Sequence, residues 1–322
     1  SGLAGFCSSV LAGGPREPGR CTVSGGQTPA SFGVVGRYDS ASTERPGLDS
    51  DWWGASLKLT QELGDAVLTS ITAYDKLDYF RGTDPDNVPD VKQTINYGSD
   101  VEAWSQELRL AYDNGGDVKW LIGAGYSEDT LDENSVVLAE VGIFPVFLGS
   151  TRFDQTYRQT TSAFSAFGRI DYRLSDTLNV AVEGRYTTED KGLVGGLVAV
   201  DSNRVLSFID DEAAFDALTG KAIVEWKAAD DLLVYASVGR GFKTGGFFGG
   251  FATNQAQLDV PYENEFITAY ETGFKSEWFD GRARVNGSVF YYDRTDVQAN
   301  AGVDDGAGVV IDRLTNIGDV RT

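Results

Sequence analysis

The stretch Tyr235-Ala-Ser-Val-Gly-Arg-Gly-Phe-Lys-Thr-Gly-Gly-Phe247 decides the fold. It opens as an alternating strand, with Val234, Ala236 and Val238 on one side and Tyr235, Ser237 and Gly239 on the other. It then breaks into glycines at Gly241, Gly245 and Gly246, with Phe242, Lys243, Phe247 and Phe248 among them. Further on, Ala269-Tyr-Glu-Thr-Gly-Phe-Lys-Ser-Glu-Trp-Phe-Asp-Gly281 leads through a turn into an apolar-alternating run at 285–292. Alternation bounded by turn residues signals β-hairpins. The two stretches read as the end of one hairpin, a long loop, and the start of the next.

The same pattern extends in both directions. Residues 52–63 and 66–79 form a hairpin across Gly64-Asp65, 102–113 and 117–130 another, and 158–174 and 178–189 a third. Residues 217–228 pair with 231–242 across Ala229-Asp230, and 266–279 with 282–296 across Asp280-Gly281, a type I′ turn signal. Residues 309–317 begin an eleventh strand. Turns are two or three residues long, but the loops between hairpins run to roughly 12 to 27 residues, against a median of about 4 to 6 in compact soluble domains. Short turns at one end and long loops at the other characterise membrane barrels.

Side-chain parity agrees. Leu57, Leu59 and Leu63 oppose Ser56, Lys58 and Glu62; Leu178, Val180 and Val182 oppose Asn179, Glu183 and Arg185; Val285, Val289 and Tyr291 oppose Arg284, Asn286 and Ser288. Trp53, Trp104, Tyr112, Tyr126, Tyr172, Tyr186, Trp226, Tyr270 and Trp278 sit near the ends of the apolar rows, where an interfacial girdle belongs. The charged rows then face a watery lumen, where Glu183/Arg185 and Glu271/Lys275 find partners. A β-sandwich also alternates, but its strands are usually five or six residues, whereas these run to about 11 to 17.

Composition narrows the function. No apolar run reaches the length of a membrane helix, a test that strands escape. The 322 residues carry a net charge of −21, and no segment supplies the basic face that nucleic acid requires. Histidine is absent, which excludes Ser-His-Asp triads and imidazole metal sites from this stretch; no enzyme is expected. Gly239-Arg-Gly-Phe-Lys-Thr244 lacks the spacing of a phosphate loop.

Cys7 and Cys21, with thirteen residues between them, lie in a Gly/Ser/Pro-rich segment over residues 1–50 that reads as an exposed loop. In an oxidising compartment they form a loop-stapling disulfide worth roughly 3 kcal/mol; two free thiols are the alternative. The opening Ser1-Gly-Leu-Ala-Gly has no leader character, as expected of a mature or truncated chain.

Four pieces together resemble one family. Tyr235–Phe247 is similar to the strand-end motif of TonB-dependent outer-membrane receptors, and Tyr270-Glu271-Thr272-Gly273-Phe274-Lys275 with Val289-Phe-Tyr-Tyr292 to the motif that follows it there. Ser105-Gln-Glu-Leu-Arg-Leu110 with Trp120-Leu-Ile-Gly-Ala-Gly-Tyr126 resembles an earlier hairpin of those barrels, as does Leu57-Lys-Leu-Thr60 with Leu68-Thr-Ser-Ile-Thr-Ala-Tyr74. The resemblance runs from about residue 50 to the C-terminus. It implies an antiparallel transmembrane β-barrel of about 22 strands around a plug, of which residues 51–322 supply ten or eleven strands and no plug. It further implies location in the bacterial outer membrane, contact with its lipid and lipopolysaccharide, and energy from the TonB-ExbB-ExbD complex through the plug. The ligand implied is a scarce, bulky nutrient, most often an iron-siderophore chelate. The chain ends at Arg321-Thr322 without the terminal aromatic of such barrels, so an internal fragment is expected. A passive porin of about 16 strands and a β-sandwich adhesin are the competing readings.

The motif residues Tyr235, Gly241, Phe242, Lys243, Gly245, Gly246, Glu271, Gly273 and Lys275 read as structural. For an anionic ligand the candidates are Arg81, Arg152, Arg158 and Arg204. Phe144, Phe147, Phe153, Phe247, Phe248, Phe251 and Tyr262 either line a vestibule or pack the loops. No cofactor is expected, apart from a divalent cation at one of the acidic loop clusters: Asp84, Asp86, Asn87 and Asp90; Asp129, Asp132 and Glu133; Asp210, Asp211 and Glu212; Asp304 and Asp305.

Overall fold

The structure, a computed structural model, describes residues 47–84, 93–140, 143–304, 308 and 310–322. Cys7, Cys21, Asp86, Asn87, Asp90, Asp305 and nearly all of the 1–50 segment lie outside these residues, and the side chains of Phe144 and Phe147 outside the described ones.

Ten long strands follow one another as an antiparallel meander: β1 (Gly47–Leu63), β2 (Ala66–Thr83), β3 (Gln93–Tyr112), β4 (Val118–Ala139), β5 (Arg152–Arg173), β6 (Leu178–Ala199), β7 (Arg204–Ala229), β8 (Leu232–Lys243), β9 (Glu265–Trp278) and β10 (Ala283–Thr295). A short helix, α1 (Ile143–Leu148), interrupts the β4–β5 connection. The run expected to begin the eleventh strand instead forms β12 (Val310–Asn316), which pairs with β11 (Gln298–Asp304) in a separate two-stranded hairpin; the two-residue β13 (Val320–Arg321) is what pairs with β10. The sheet is therefore an open barrel segment edged by β1 and β13, and in lipid those edges require further strands.

All five expected hairpins are present; β1 to β7 are longer than expected, whereas β8 to β10 keep about the expected lengths. The largest difference is between β6 and β7. The 27 residues or so expected as a loop are mostly strand, and the hairpin closes only at residues 200–203. The reason is packing: above the membrane Leu193, Leu197, Ala199, Ser207 and Ile209 are buried against other connections, so alternation continues where lipid has ended. At the other end of the sheet the Asp280-Gly281 turn takes four residues, 279–282, with Phe279, Asp280 and Gly281 all left-handed.

The apolar row lies exposed on one face of the sheet, with Leu57, Leu59, Leu108, Ile122, Ile170, Val182, Leu218 and Val289 all open, as a lipid-facing surface must be. Aromatic rings band it at two heights. Trp53 meets Tyr74 at 5.1 Å and Trp104 meets Tyr126 at 6.0 Å toward the long connections, while Tyr112 stacks on Trp120 at 5.5 Å beside the turns. Along β3 the stretch from Trp104 to Tyr112 holds nine residues, which matches a tilted crossing of about 9 to 11 residues. The opposite, lumen-side face carries the polar row. There Glu183 pairs with Arg169 at 3.1 Å rather than with Arg185, and Glu271 accepts a hydrogen bond from the Tyr235 hydroxyl at 2.5 Å while Lys275 lies 5.7 Å from the centre of the same ring.

Candidate functional site

The β8–β9 connection, residues 244–264, folds across the lumen-side face at the mouth. Its glycines explain how. A Cβ on Gly245 would stand 2.3 Å from the Phe215 ring and 2.3 Å from the Tyr262 carbonyl oxygen, so only glycine lets the chain turn there. Gly246 and Tyr262 then exchange two backbone hydrogen bonds of 2.9 and 2.8 Å. Around this bridge Gly245 N–H donates to Asn264 at 2.8 Å, Lys191 donates to the Gly245 carbonyl at 2.9 Å, and Gln298 donates to the carbonyls of Thr244 and Glu263 at 3.0 and 2.9 Å. The Gly-rich run is thus a strand end bending into an anchored loop.

The anchored loop inserts apolar residues between the tall strands. Phe247, Ala252 and Leu258 are buried with Tyr157, Leu193 and Ile209, and Phe248 packs against the same group. Phe251 meets Phe153 edge-on at 5.9 Å beside Val137, Leu197 and Ala199. Phe153, Phe247 and Phe248 are therefore core of the mouth rather than free vestibule lining, and half-buried Tyr262 serves the bridge.

Burial raises the Tyr157 phenol to about 12. Its neutral form favours the docked loop, so this contribution is complete below pH ~10 and is lost as pH rises towards about 12, a loss of roughly 2–3 kcal/mol. We expect loop protection from protease to fall over that interval in step with tyrosinate absorbance, and Tyr157→Phe to flatten the fall. An unchanged profile in Tyr157→Phe would refute the assignment.

One cavity, of about 550 Å³, remains open at the mouth. Arg81 and Tyr79 from β2, Tyr97 and Ile95 from β3, Val137 from β4 and Phe251 from the loop line it. Glu133 also faces it, held by Gln155 at 2.8 Å and Ser135 at 3.1 Å. Arg81 has no ion pair among the described residues. The cavity thus offers one guanidinium without an ion pair and one carboxylate, Glu133, held by neutral donors, among two phenols and three apolar side chains. That set suits an anionic ligand with flat or apolar surface. Tyr79, Tyr97, Ile95 and Val137 were not anticipated from sequence; they share parity with Arg81 across adjacent strands, a signal hidden because 80–101 and 131–157 read as loops.

The other arginines go elsewhere. Arg158 lies on the lipid-side face above the aromatic band and forms a two-pronged pair with Asp132, 2.7 Å on each prong, which holds the Asp132 carboxyl below the usual carboxylate range. Arg152 pairs with Asp154 in the same way, at 2.8 and 3.0 Å, and Arg204 is exposed at the tip of the β6–β7 hairpin. Of the four, only Arg81 lines the mouth cavity. The acidic clusters are divided too. Asp129, Asp132 and Glu133 lie in β4 and Asp210–Glu212 in β7, so alternate residues face opposite sides. Among the described residues no group of three or more acidic or soft side chains converges as a metal site.

Residues 14–322 match the family described as TonB dependent receptor-like, beta-barrel. The chain belongs to the TonB-dependent receptor family. Solved structures of the same fold agree. The ferric yersiniabactin uptake receptor FyuA from Yersinia pestis superposes with a TM-score of 0.69 at 18% identity, over 86% of this chain and 39% of that one. The siderophore receptor PiuA from Acinetobacter baumannii gives 0.62 at 15%, over 86% and 44%. The copper transporter OprC gives 0.63 at 13%, over 85% and 43%. The TonB-dependent receptor chain described here therefore spans about two fifths of the length of these relatives.

Proposed function

We propose that this barrel segment serves a non-enzymatic outer-membrane receptor that binds a bulky iron chelate, a siderophore complex, at its mouth and imports it with energy from TonB-ExbB-ExbD. The observation that carries the reading is the mouth cavity, where Arg81, without an ion pair among the described residues, stands beside Tyr79, Tyr97 and Phe251. A chelate of ferric iron presents anionic oxygens and flat rings, which a guanidinium and phenols complement. Two of the structural relatives are named for siderophore uptake. Copper transport, for which OprC is named, is less well served. The 322 residues hold no Met and no His, and only Cys7 and Cys21 supply soft ligands of the kind copper prefers.

The test is growth of a strain lacking the receptor, complemented with the full-length gene, on a panel of ferric siderophores under iron limitation. One chelate should restore growth, and only while TonB is present; growth independent of TonB would point to a passive pore. Arg81→Gln should weaken binding of that chelate about 10- to 100-fold with receptor abundance unchanged, the scale of a charge-assisted contact. Unaltered affinity in Arg81→Gln would remove the mouth cavity from the mechanism.

A further inference from the structure

The sequence holds two Asn-Gly pairs, Asn114-Gly115 and Asn286-Gly287, and the fold treats them differently. In such a pair the glycine nitrogen attacks the carbon of the asparagine side-chain amide. The attack needs a backbone that swings freely and no Cβ in the way. Asn286 and Gly287 lie in β10, in register with Lys275 and Phe274 of β9, and a Cβ on Gly287 would stand 2.9 Å from the Phe274 ring. That nitrogen moves only if the ladder opens. Asn114 and Gly115 lie in the exposed turn 113–117 between β3 and β4. Gly115 has φ +74°, and nothing stands within 4 Å of the place its Cβ would take.

The turn also biases both reacting groups. Gly115 N–H donates to Asp113 Oδ1 at 2.9 Å, which draws the proton away from the nitrogen that must attack. Gly116 N–H donates to Asn114 Oδ1 at 2.9 Å, the oxygen on which negative charge gathers when the amide carbon is attacked. Lys119 holds the other Asp113 oxygen at 2.6 Å and keeps that carboxyl below the usual carboxylate range, so it remains an acceptor at neutral pH. All of these groups belong to one turn and the strand that leaves it.

We infer that Asn114 is a self-modifying position, converted to aspartate and isoaspartate by its own turn. The Gly115 nitrogen gives its proton to solvent hydroxide and forms a bond to Asn114 Cγ. The Cγ–Nδ2 bond breaks, and the amide nitrogen takes a proton from water and leaves as ammonia. Water then opens the cyclic imide at one carbonyl or the other, which gives the two acids. The product sets a new carboxylate between Asp113 and Asp117, which hold Lys119 and Arg173 at 2.6 and 2.9 Å. Neither the lipid-facing row nor the mouth is touched, so converted and unconverted receptors share one fold and the converted fraction records the age of the molecule.

The test is mass spectrometry of peptides from the full-length receptor, kept folded in detergent at mildly alkaline pH in heavy-oxygen water. The peptide spanning residue 114 should take up the label and lose its amide about tenfold or more faster than the peptide spanning residue 286, because an exposed turn opens at little cost and a paired strand does not. Asp113→Ala should slow the reaction at 114 and leave 286 unchanged. In denaturant the two rates of the parent should converge. Equal rates in the folded receptor, no slowing in Asp113→Ala, or a difference that persists in denaturant each overturns the inference. The comparison of the two positions within the parent needs no variant, so it decides the matter even if Asp113→Ala fails to fold.

Discussion

Gly245→Val is expected to abolish chelate uptake while leaving the barrel assembled in the membrane. Its first side-chain carbon would sit 2.3 Å from both the Phe215 ring and the Tyr262 carbonyl oxygen. The ring could rotate, but the carbonyl belongs to the Gly246–Tyr262 bridge and cannot retreat without breaking it. Release of the bridge also strands the contacts from Asn264 and Lys191 and exposes Phe247, Ala252 and Leu258. Exposing a buried phenylalanine alone costs about 1.5–3 kcal/mol. None of these residues contributes to the lipid-facing row, so heat-modifiable migration in gels should be normal. The measurements are uptake of the labelled chelate and limited proteolysis within residues 244–264; parental values for both would show that the bridge does not hold the mouth.

Gly273→Val should act at the opposite level and prevent assembly. A Cβ there would meet the Gly287 carbonyl oxygen at 2.6 Å, the Tyr235 hydroxyl at 2.8 Å and Ser288 Cβ at 2.9 Å. Tyr235 and Gly273 are register partners in β8 and β9, so the ring lies over the glycine and its hydroxyl reaches Glu271. A side chain at 273 displaces the ring and presses on the β10 backbone at once. We expect the folded receptor to fall to about a tenth of the parent or less, the consequence of roughly 2 kcal/mol or more in a cooperative barrel. Gly241→Ala is the control. Its nearest neighbour would be Ile267 Cγ2 at 3.5 Å, an ordinary contact, so that variant should assemble. Equal abundance of the two variants would mean that the motif glycines are kept for some reason other than close approach.

Much of this was legible in the sequence, for a physical reason. Where a strand separates lipid from water, period-two alternation is enforced at every crossing, and the parity of Leu57, Val182 and Val289 gave the sidedness found in the structure. The same logic lapses above the membrane. Gly192, Gly195 and Gly196 with Asp210–Glu212 look like loop sequence, yet they lie within β6 and β7, because the hairpin there is held by what it packs against rather than by its own pattern. That error carried over to the arginines. Arg158 already shares parity with Phe164 and Ile170 in the expected strand 158–174, whereas Arg152 becomes readable on that lipid-side face only once β5 is known to begin at Arg152. The cavity around Arg81 depends on the register of β2 on β3, Tyr79 opposite Ser99 and Arg81 opposite Tyr97, and no single-strand pattern encodes it.

The mouth loop is fastened mainly by amides. Gln155 holds the Gly249 carbonyl at 3.3 Å, Gln255 clasps both the N–H and the carbonyl of Phe208 at 2.9 Å, Gln257 reaches the Asp312 carbonyl at 2.7 Å, and Asn264 and Asn316 complete the stitching to Asp216 and Asp296. Amide ties carry no net charge and do not titrate between acid and alkali, and added electrolyte, which screens exposed ion pairs within about 10 Å at 0.1 M, leaves them largely untouched. A surface turned toward the environment outside a cell meets swings of acidity and brine that the interior never sees. Stitched in this way, the entrance keeps one shape from fresh water to salt.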